Sequence, residues 1–297
     1  MTAAAPDARP DLRALRDIHA EVLTRIPYNS AAQYHLHYGT GTSPERFGTA
    51  CAWQTFAAGE RVALRTGATA EYRVGGRHVC ALYEDGEGLT LLDPYLLHRA
   101  PLRLPRADAA DTADGTVRVD ADAYPLRRRP DGSPAPSALR AVWRPADGLL
   151  RLRYLRYSPR LGETVTHRAY TMRPEDTVGE LPVPAPLVRE LLLHPEQNNL
   201  SIRAVHPGDD HLTEVALPFS GRPRGALADR RALIARDNQG AVSTWGHLAF
   251  DRELQRVADA LRATPEEVVD HLLDAAALYD AAAPASVVVP EYSLEDA

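Results

Sequence analysis

The chain has 297 residues, 44% of them hydrophobic and 25% charged, with a formal net charge of -6. A chain of this length exceeds the usual single core, so two or three packed subdomains are expected. Its composition is that of a globular protein. The acidic balance argues against a nucleic-acid partner, and no stretch approaches the roughly 20 apolar residues of a membrane span.

Two cysteines, Cys51 and Cys80, are too few for a disulfide scaffold or a thiolate zinc site. All 34 basic residues are arginine, which reads as coding bias. The N-terminal stretch lacks a basic segment followed by an apolar core, so no signal peptide is expected and the protein is read as cytoplasmic.

In chain order, residues 11 to 26 place Leu12, Leu15, Ile18, Val22 and Ile26 on one helical stripe, ended by Pro27. "HLH" at 35 to 37 reads as a piece of strand with His35 and His37 on one face. Ser43-Pro44-Glu45 reads as a helix start, with serine as the cap and proline in the first turn. A further helix is predicted over about 49 to 64, burying Val62 and Leu64.

From about residue 70 the texture changes to short strands and glycine-containing turns, Gly75-Gly76 among them. Residues 101 to 136 read as loops with one strand, "TVRVDA", and the arginine-rich "LRRRPDGS" reads as a solvated loop that could also meet an acidic carrier protein or a cofactor phosphate. Strands are predicted on both sides of a turn at Asp147-Gly148, and again in "ETVTHRAYTM" and "LSIRAVHPG", with a short helix at 185 to 194. "RRALIARD" and "GAVSTWGHLAF" read as strands, "RELQRVADALRA" as a helix. A last helix starts with Thr264 as cap, Pro265 inside and Glu267 at the capping-box position. Helices first, strands next and a mixed end predict an α+β fold in three parts: 1–68, 69–203 and 204–297.

The chemistry concentrates in a predicted hairpin. "RHVCALYEDGEGLTLLDPY" holds Asp85-Gly86, a strong signal for a two-residue type I′ turn. A loop of those two residues pairs Glu84 with Glu87 and places His78 directly opposite Asp93, on one face of the hairpin. A carboxylate on one ring nitrogen fixes the tautomer and leaves the other nitrogen to exchange a proton. A cysteine nucleophile needs that arrangement, because the thiolate is the reactive form. Cys51 completes a triad if it starts a helix pointing at the hairpin, where the helix dipole also favours the thiolate. A satisfied polar pair and a buried filler thiol are the plain alternatives. Cys80 is the rival thiol. It lies two residues from His78 on the same strand face, where the side chains run parallel, and is read as packing.

Other clusters carry weaker signals. His206, Asp209, Asp210 and His211 crowd one turn, but neither they nor "HLH" match a recognised metal-ligand spacing, and no metal site is expected. "GTGT" at 39 to 42 and "RVGG" at 73 to 76 lack the lysine of a phosphate loop.

"RIPYN" at 25 to 29, His78 and Asp93 at a separation of 15, "RAPLRL" after Asp93 and "HPEQNNLSI" at 194 to 202 together resemble the arylamine N-acetyltransferase family and its amide-synthase relatives. The resemblance runs in order along nearly the whole chain. It implies an N-terminal helical bundle, a central antiparallel β-barrel-like domain and a C-terminal α/β lid around a triad core of cysteine-protease type. It also implies a cysteine acyltransferase with Cys51, His78 and Asp93 as catalytic residues. No tightly bound cofactor is expected. An acyl-CoA or acyl-carrier thioester serves as co-substrate, a small amine as acceptor, and an acyl carrier protein is a possible partner.

The surroundings depart from the family. Phe47-Gly48-Thr49-Ala50 stands where Arg-Gly-Gly-aromatic is usual, the 27-residue gap from Cys51 to His78 is short, and Trp53 replaces a Glu or Gln. Pro94-Tyr95 replaces a glycine-containing segment after the aspartate. Trp53 and Tyr95 are therefore candidate substrate-binding residues, and a donor larger than acetyl is expected. A hydrolase or transglutaminase-like enzyme shares the triad logic, and an inactive relative acting as a binding protein is the alternative outside catalysis.

Overall fold

A computed structural model describes residues 11–284 and Tyr292. Along the chain the elements are α1 (Leu12–Arg25), β1 (Tyr28–Asn29), α2 (Ala32–His37), α3 (Cys51–Thr66), β2 (Glu71–Gly75), β3 (His78–Asp85), β4 (Gly88–Leu92), β5 (Leu102–Pro105), β6 (Val117–Arg128), β7 (Pro134–Arg144), β8 (Leu149–Ser158), β9 (Glu163–Met172), α4 (Ala185–Leu192), β10 (Asn199–His206), β11 (His211–Pro218), β12 (Ile234–Arg236), β13 (Val242–Thr244), α5 (Leu248–Leu261) and α6 (Pro265–Ala282). The fold is mixed α+β with antiparallel sheets.

Two compact units divide the chain. Among the described residues, one comprises 11–23, 51–157 and 162–179; the other comprises 24–50, 158–161 and the described residues from 180 onward.

The first unit holds α1, α3 and two four-stranded sheets, ordered β2-β3-β4-β5 and β6-β7-β8-β9. The apolar stripe of α1 buries Leu15, Ile18 and Val22, as its periodicity predicts, but Leu12 is exposed. Helix α3 buries Ala58 and Val62, whereas Leu64 points outward, 81% exposed, because it falls two residues and about 200° beyond Val62.

The expected barrel does not close. Among the described residues, β5 and β6 share no ladder, and the segment before β5 bonds β6 at the isolated bridge His98–Ala123; the free edge of β2 meets residues 176–178 at the isolated bridge Arg73–Thr177. Isolated bridges in place of ladders leave two open sheets.

The stretch 101–136 carries more strand than its composition suggests. β6 continues past "TVRVDA" to Arg128, because Pro125, which cannot donate to a ladder, sits in an irregularity between Ala123 and Leu126 where no pairing is required. Arg127 of the arginine-rich run is buried and donates to the Tyr157 carbonyl at 2.5 Å, while Arg128 and the turn after it are exposed.

The second unit is built on the sheet β1-β10-β11-β12-β13. Its core joins Leu200, Ile202, Val215 and Leu217 of the sheet to Phe250, Val257 and Leu261 of α5 and Leu272, Ala276 and Tyr279 of α6. Thr264 and Glu267 form the expected capping box at the start of α6.

Three local expectations are corrected here. "HLH" lies in α2, where residues two apart face different sides. Ser43 does not cap; a single 3₁₀ turn, Glu45–Phe47, follows Pro44 with no side-chain cap. In "GAVSTWGHLAF" only Val242–Thr244 is strand, and Leu248 already begins α5.

No helix of the described residues is long and apolar enough to cross a membrane.

Candidate active site

Cys51 is the first residue of α3. The chain reaches it through Gly48, whose φ of 73° and ψ of -155° lie in a region that essentially only glycine enters. A Cβ on Gly48 would sit 2.0 Å from the Pro27 carbonyl oxygen. Thr49 donates its N–H to that same carbonyl at 3.0 Å, and Asn29 donates side-chain and backbone N–H groups to the Phe47 and Thr49 carbonyls. The segment before the cysteine is thus clamped on both sides, and glycine is the residue that lets it pass. The N–H groups of the first turn of α3 have no acceptor within the helix, so they are available to a developing oxyanion. One turn after Cys51, Thr55 donates its hydroxyl to the carbonyl of Val79 at 3.3 Å, tying the start of α3 to the strand that begins with His78.

The hairpin of β3 and β4 supplies the other two residues in a different register from the expected one. Asp85 pairs with Gly88, Tyr83 with Thr90 and Ala81 with Leu92, so the loop is Gly86-Glu87. The Asp85 carboxylate accepts the N–H groups of Glu87 and Gly88, both at 2.9 Å, which draws Asp85 into the ladder. Neither loop residue takes the positive φ of a type I′ turn.

The register therefore places Asp93 diagonal to His78, beyond the last pair of the ladder. The two still share a face, because the shift is an even number of residues. His78 Nε2 and Asp93 Oδ2 are 2.6 Å apart, with the histidine 2% exposed and the aspartate fully buried. The other Asp93 oxygen accepts the Leu96 N–H at 3.4 Å and caps the 3₁₀ turn Pro94–Leu96.

The electrostatics follow from this packing. Burial lowers the proton affinity of His78, but the Asp93 charge and hydrogen bond, and then Cys51 as hydrogen-bond partner and as charge, reverse that and carry its pKa from 6.5 to about 9. Nδ1 of His78 makes no hydrogen bond of ordinary geometry, and Cys51 lies near enough to the ring to raise its proton affinity. With Nε2 committed to Asp93, Nδ1 is the nitrogen that can exchange a proton with sulfur.

Aromatic rings enclose the imidazole. Tyr95 lies 5.2 Å and Tyr170 4.3 Å from it, centroid to centroid, and the Arg168 guanidinium covers Tyr95 at 5.1 Å. Burial, and then Tyr95, pushes the Tyr170 hydroxyl well up, so it stays a protonated donor.

Of the residues expected at the site, the structure brings Cys51, His78, Asp93 and Tyr95 together. Trp53 lies about 200° round α3 from Cys51 and meets Phe56 edge-on at 6.2 Å. Cys80 is fully buried opposite Arg73, and burial, with Asp93 adding to it, pushes its thiol well up.

Sequence reasoning missed Thr55, Tyr170 and His98. Thr55 stands four residues after Cys51, on its face of the helix, and was open to detection; Tyr170 comes from a distant strand with no local signal.

Three of the remaining candidates are engaged elsewhere. His211 pairs with the buried Glu253 at 3.1 Å and Asp209 with Arg256 at 2.9 Å; His35 donates to the His271 carbonyl. Among the described residues no group of three or more His, Cys, Asp and Glu is arranged to hold a metal ion.

Compared with models of known protein families, with curated proteins and with solved structures, the chain matches none.

Proposed function

We propose that this protein is a cysteine acyltransferase of the arylamine N-acetyltransferase kind, moving an acyl group from a thioester through an acyl-cysteine to an amine. The observation that carries the reading is His78, held at Nε2 by a buried carboxylate, with its Nδ1 uncommitted and a cysteine at a helix N-terminus near the ring. A triad core of cysteine-protease type and a C-terminal α/β lid are part of the same reading.

Each step moves one proton through His78. The Cys51 thiolate attacks the thioester carbonyl, forming a carbon–sulfur bond, and the first-turn N–H groups of α3 stabilise the oxyanion. Collapse expels the donor thiol, which takes the proton from the His78 imidazolium. An amine then attacks the acyl-cysteine and gives its proton to the now neutral His78. The carbon–sulfur bond breaks, the amide leaves, and Cys51 returns as a thiolate beside the imidazolium. Asp93 keeps Nε2 protonated throughout, so Nδ1 performs both transfers.

The donor is an acyl-CoA or an acyl group on a carrier protein, and the acceptor is a small amine. The test is intact-protein mass spectrometry after incubation with a panel of acyl thioesters, followed by product analysis with and without amine. The expected result is a single acyl adduct that maps to Cys51, is absent from Cys51→Ala, and is discharged by amine to an amide. Adducts that persist in Cys51→Ala overturn the reading; discharge by water alone at the same rate turns it into a hydrolase.

A further inference from the structure

A chain of buried hydrogen bonds continues behind Asp93, on the side away from His78. Asp93 is the first residue past the β3–β4 ladder, so its N–H has no strand partner. That N–H donates to Nε2 of His98 at 2.9 Å. A ring nitrogen that accepts carries no proton, so the proton of His98 is on Nδ1. Nδ1–H in turn donates to the Ala100 carbonyl at 2.6 Å. The His98 carbonyl accepts from Nε2–H of His19 in α1 at 2.6 Å, and the two imidazoles stack with centroids 4.1 Å apart. Asp93, His98 and His19 are all fully buried.

The loop they close is short and contorted. From Asp93 the chain makes the 3₁₀ turn Pro94–Leu96, passes through Leu97 in the left-handed region at φ 59°, and returns His98 to the residue where the loop began. Left-handed backbone at a leucine costs about 1 to 2 kcal/mol, so contacts must hold it. Burial keeps both imidazoles below the ordinary histidine range, His19 at about 4, so each stays neutral and His98 keeps its accepting nitrogen.

We propose that His98 is a positioning residue: by accepting the Asp93 N–H, and held in turn by His19, it aims the Asp93 carboxylate at His78. The proposal rests on the reading of Cys51, His78 and Asp93 as a triad. His98 does not touch the reacting atoms; it acts through Asp93.

The test reads the nucleophile directly, without an acyl substrate. Rates of Cys51 alkylation by iodoacetamide are measured from pH 5 to 10 and assigned by peptide mass, in wild type, His78→Ala, Asp93→Asn, His98→Leu and His98→Gln. His98→Leu removes the acceptor; His98→Gln offers an amide oxygen in place of Nε2. Misplacement by about 1 Å can cost roughly a hundredfold in a positioned reaction, so His98→Leu is expected to lower the rate at pH 6 by about ten- to a hundredfold and to take on the profile of Asp93→Asn. His98→Gln is expected to recover most of that loss.

A folded His98→Leu with the wild-type profile overturns the proposal, as does a His98→Gln that falls as far as leucine. If His98→Leu does not fold, the imidazole nitrogen shifts of wild type decide: Nδ1–H at His98 supports the proposal, and Nε2–H overturns it. Identical profiles for wild type and His78→Ala would instead remove the triad reading on which it rests.

Discussion

Asp93→Asn exchanges one carboxylate oxygen for an amide and changes little else in shape. The retained carbonyl oxygen can still accept the Leu96 N–H, so the 3₁₀ turn keeps its cap. What is lost is the charge that supports His78. In the native protein that ring is raised from 6.5 to about 9. At 1.36 kcal/mol per pH unit this corresponds to about 3 kcal/mol of stabilisation when the ring is protonated.

The sign follows from the direction of the shift. A histidine whose folded pKa is raised binds protons more tightly in the native state, so its contribution is complete below pH 6.5 and is lost as pH rises through about 9. In the variant, burial remains and the opposing charge is gone, so the ring folds neutral. Urea unfolding of both proteins, followed by tryptophan fluorescence from pH 6 to 10, should show wild type the more stable at pH 6. The gap should narrow by about 3 kcal/mol by pH 10, while groups common to both proteins cancel. A gap that stays constant across the range would refute the argument, because it would mean that Asp93 does not set the protonation of His78.

Native protein treated with iodoacetamide should be modified once, at Cys51; labelling of Cys80 before unfolding would contradict its burial and raised pKa. Gly48→Ala should destabilise by on the order of 3 kcal/mol, from the glycine-only backbone and the approach of the new methyl group to the Pro27 carbonyl; denaturant midpoints check this, and a neutral substitution would show that the segment has room to move. On the proposed acyltransferase reading, acetyl-CoA with an aniline should be a poor substrate pair beside longer acyl thioesters with aliphatic amines, because Pro94-Tyr95 makes a bulkier segment after Asp93 than a glycine-containing one; a kcat/KM for the first pair of about 10⁴ M⁻¹s⁻¹ would refute it.

Much of the architecture was legible where one residue dominates its neighbourhood. The stripe Leu15, Ile18 and Val22 announced α1, and Thr264 with Glu267 announced α6 to the residue. The meeting of His78 and Asp93 could be read because face parity survives a change of register by two. The register itself could not, since it turns on whether the Asp85 side chain accepts N–H groups from its own turn, a local hydrogen bond that competes with the Asp-Gly preference. The support behind Asp93 was illegible for another reason. His19 and His98 are 79 residues apart, and nothing in either stretch marks the other. Leu64 is apolar and near the end of α3, but its angle from Val62, about 200°, is what decides its exposure, and hydrophobicity alone does not carry that angle.

The even-numbered offset in the hairpin has a consequence for descent. A lineage can shorten the strand between His78 and the turn by two residues, which brings the imidazole directly opposite the carboxylate on the same side, whereas lengthening it by two keeps the side but carries the pair about 7 Å further apart. A change of one residue turns the histidine to the opposite side in a single event. Substitutions and the loss of two residues together are therefore the steps open to such a hairpin, while single-codon changes within 79–85 are closed to it. Relatives of this chain that keep the pair should carry that strand at this length or two residues shorter, whatever has become of their overall sequence identity.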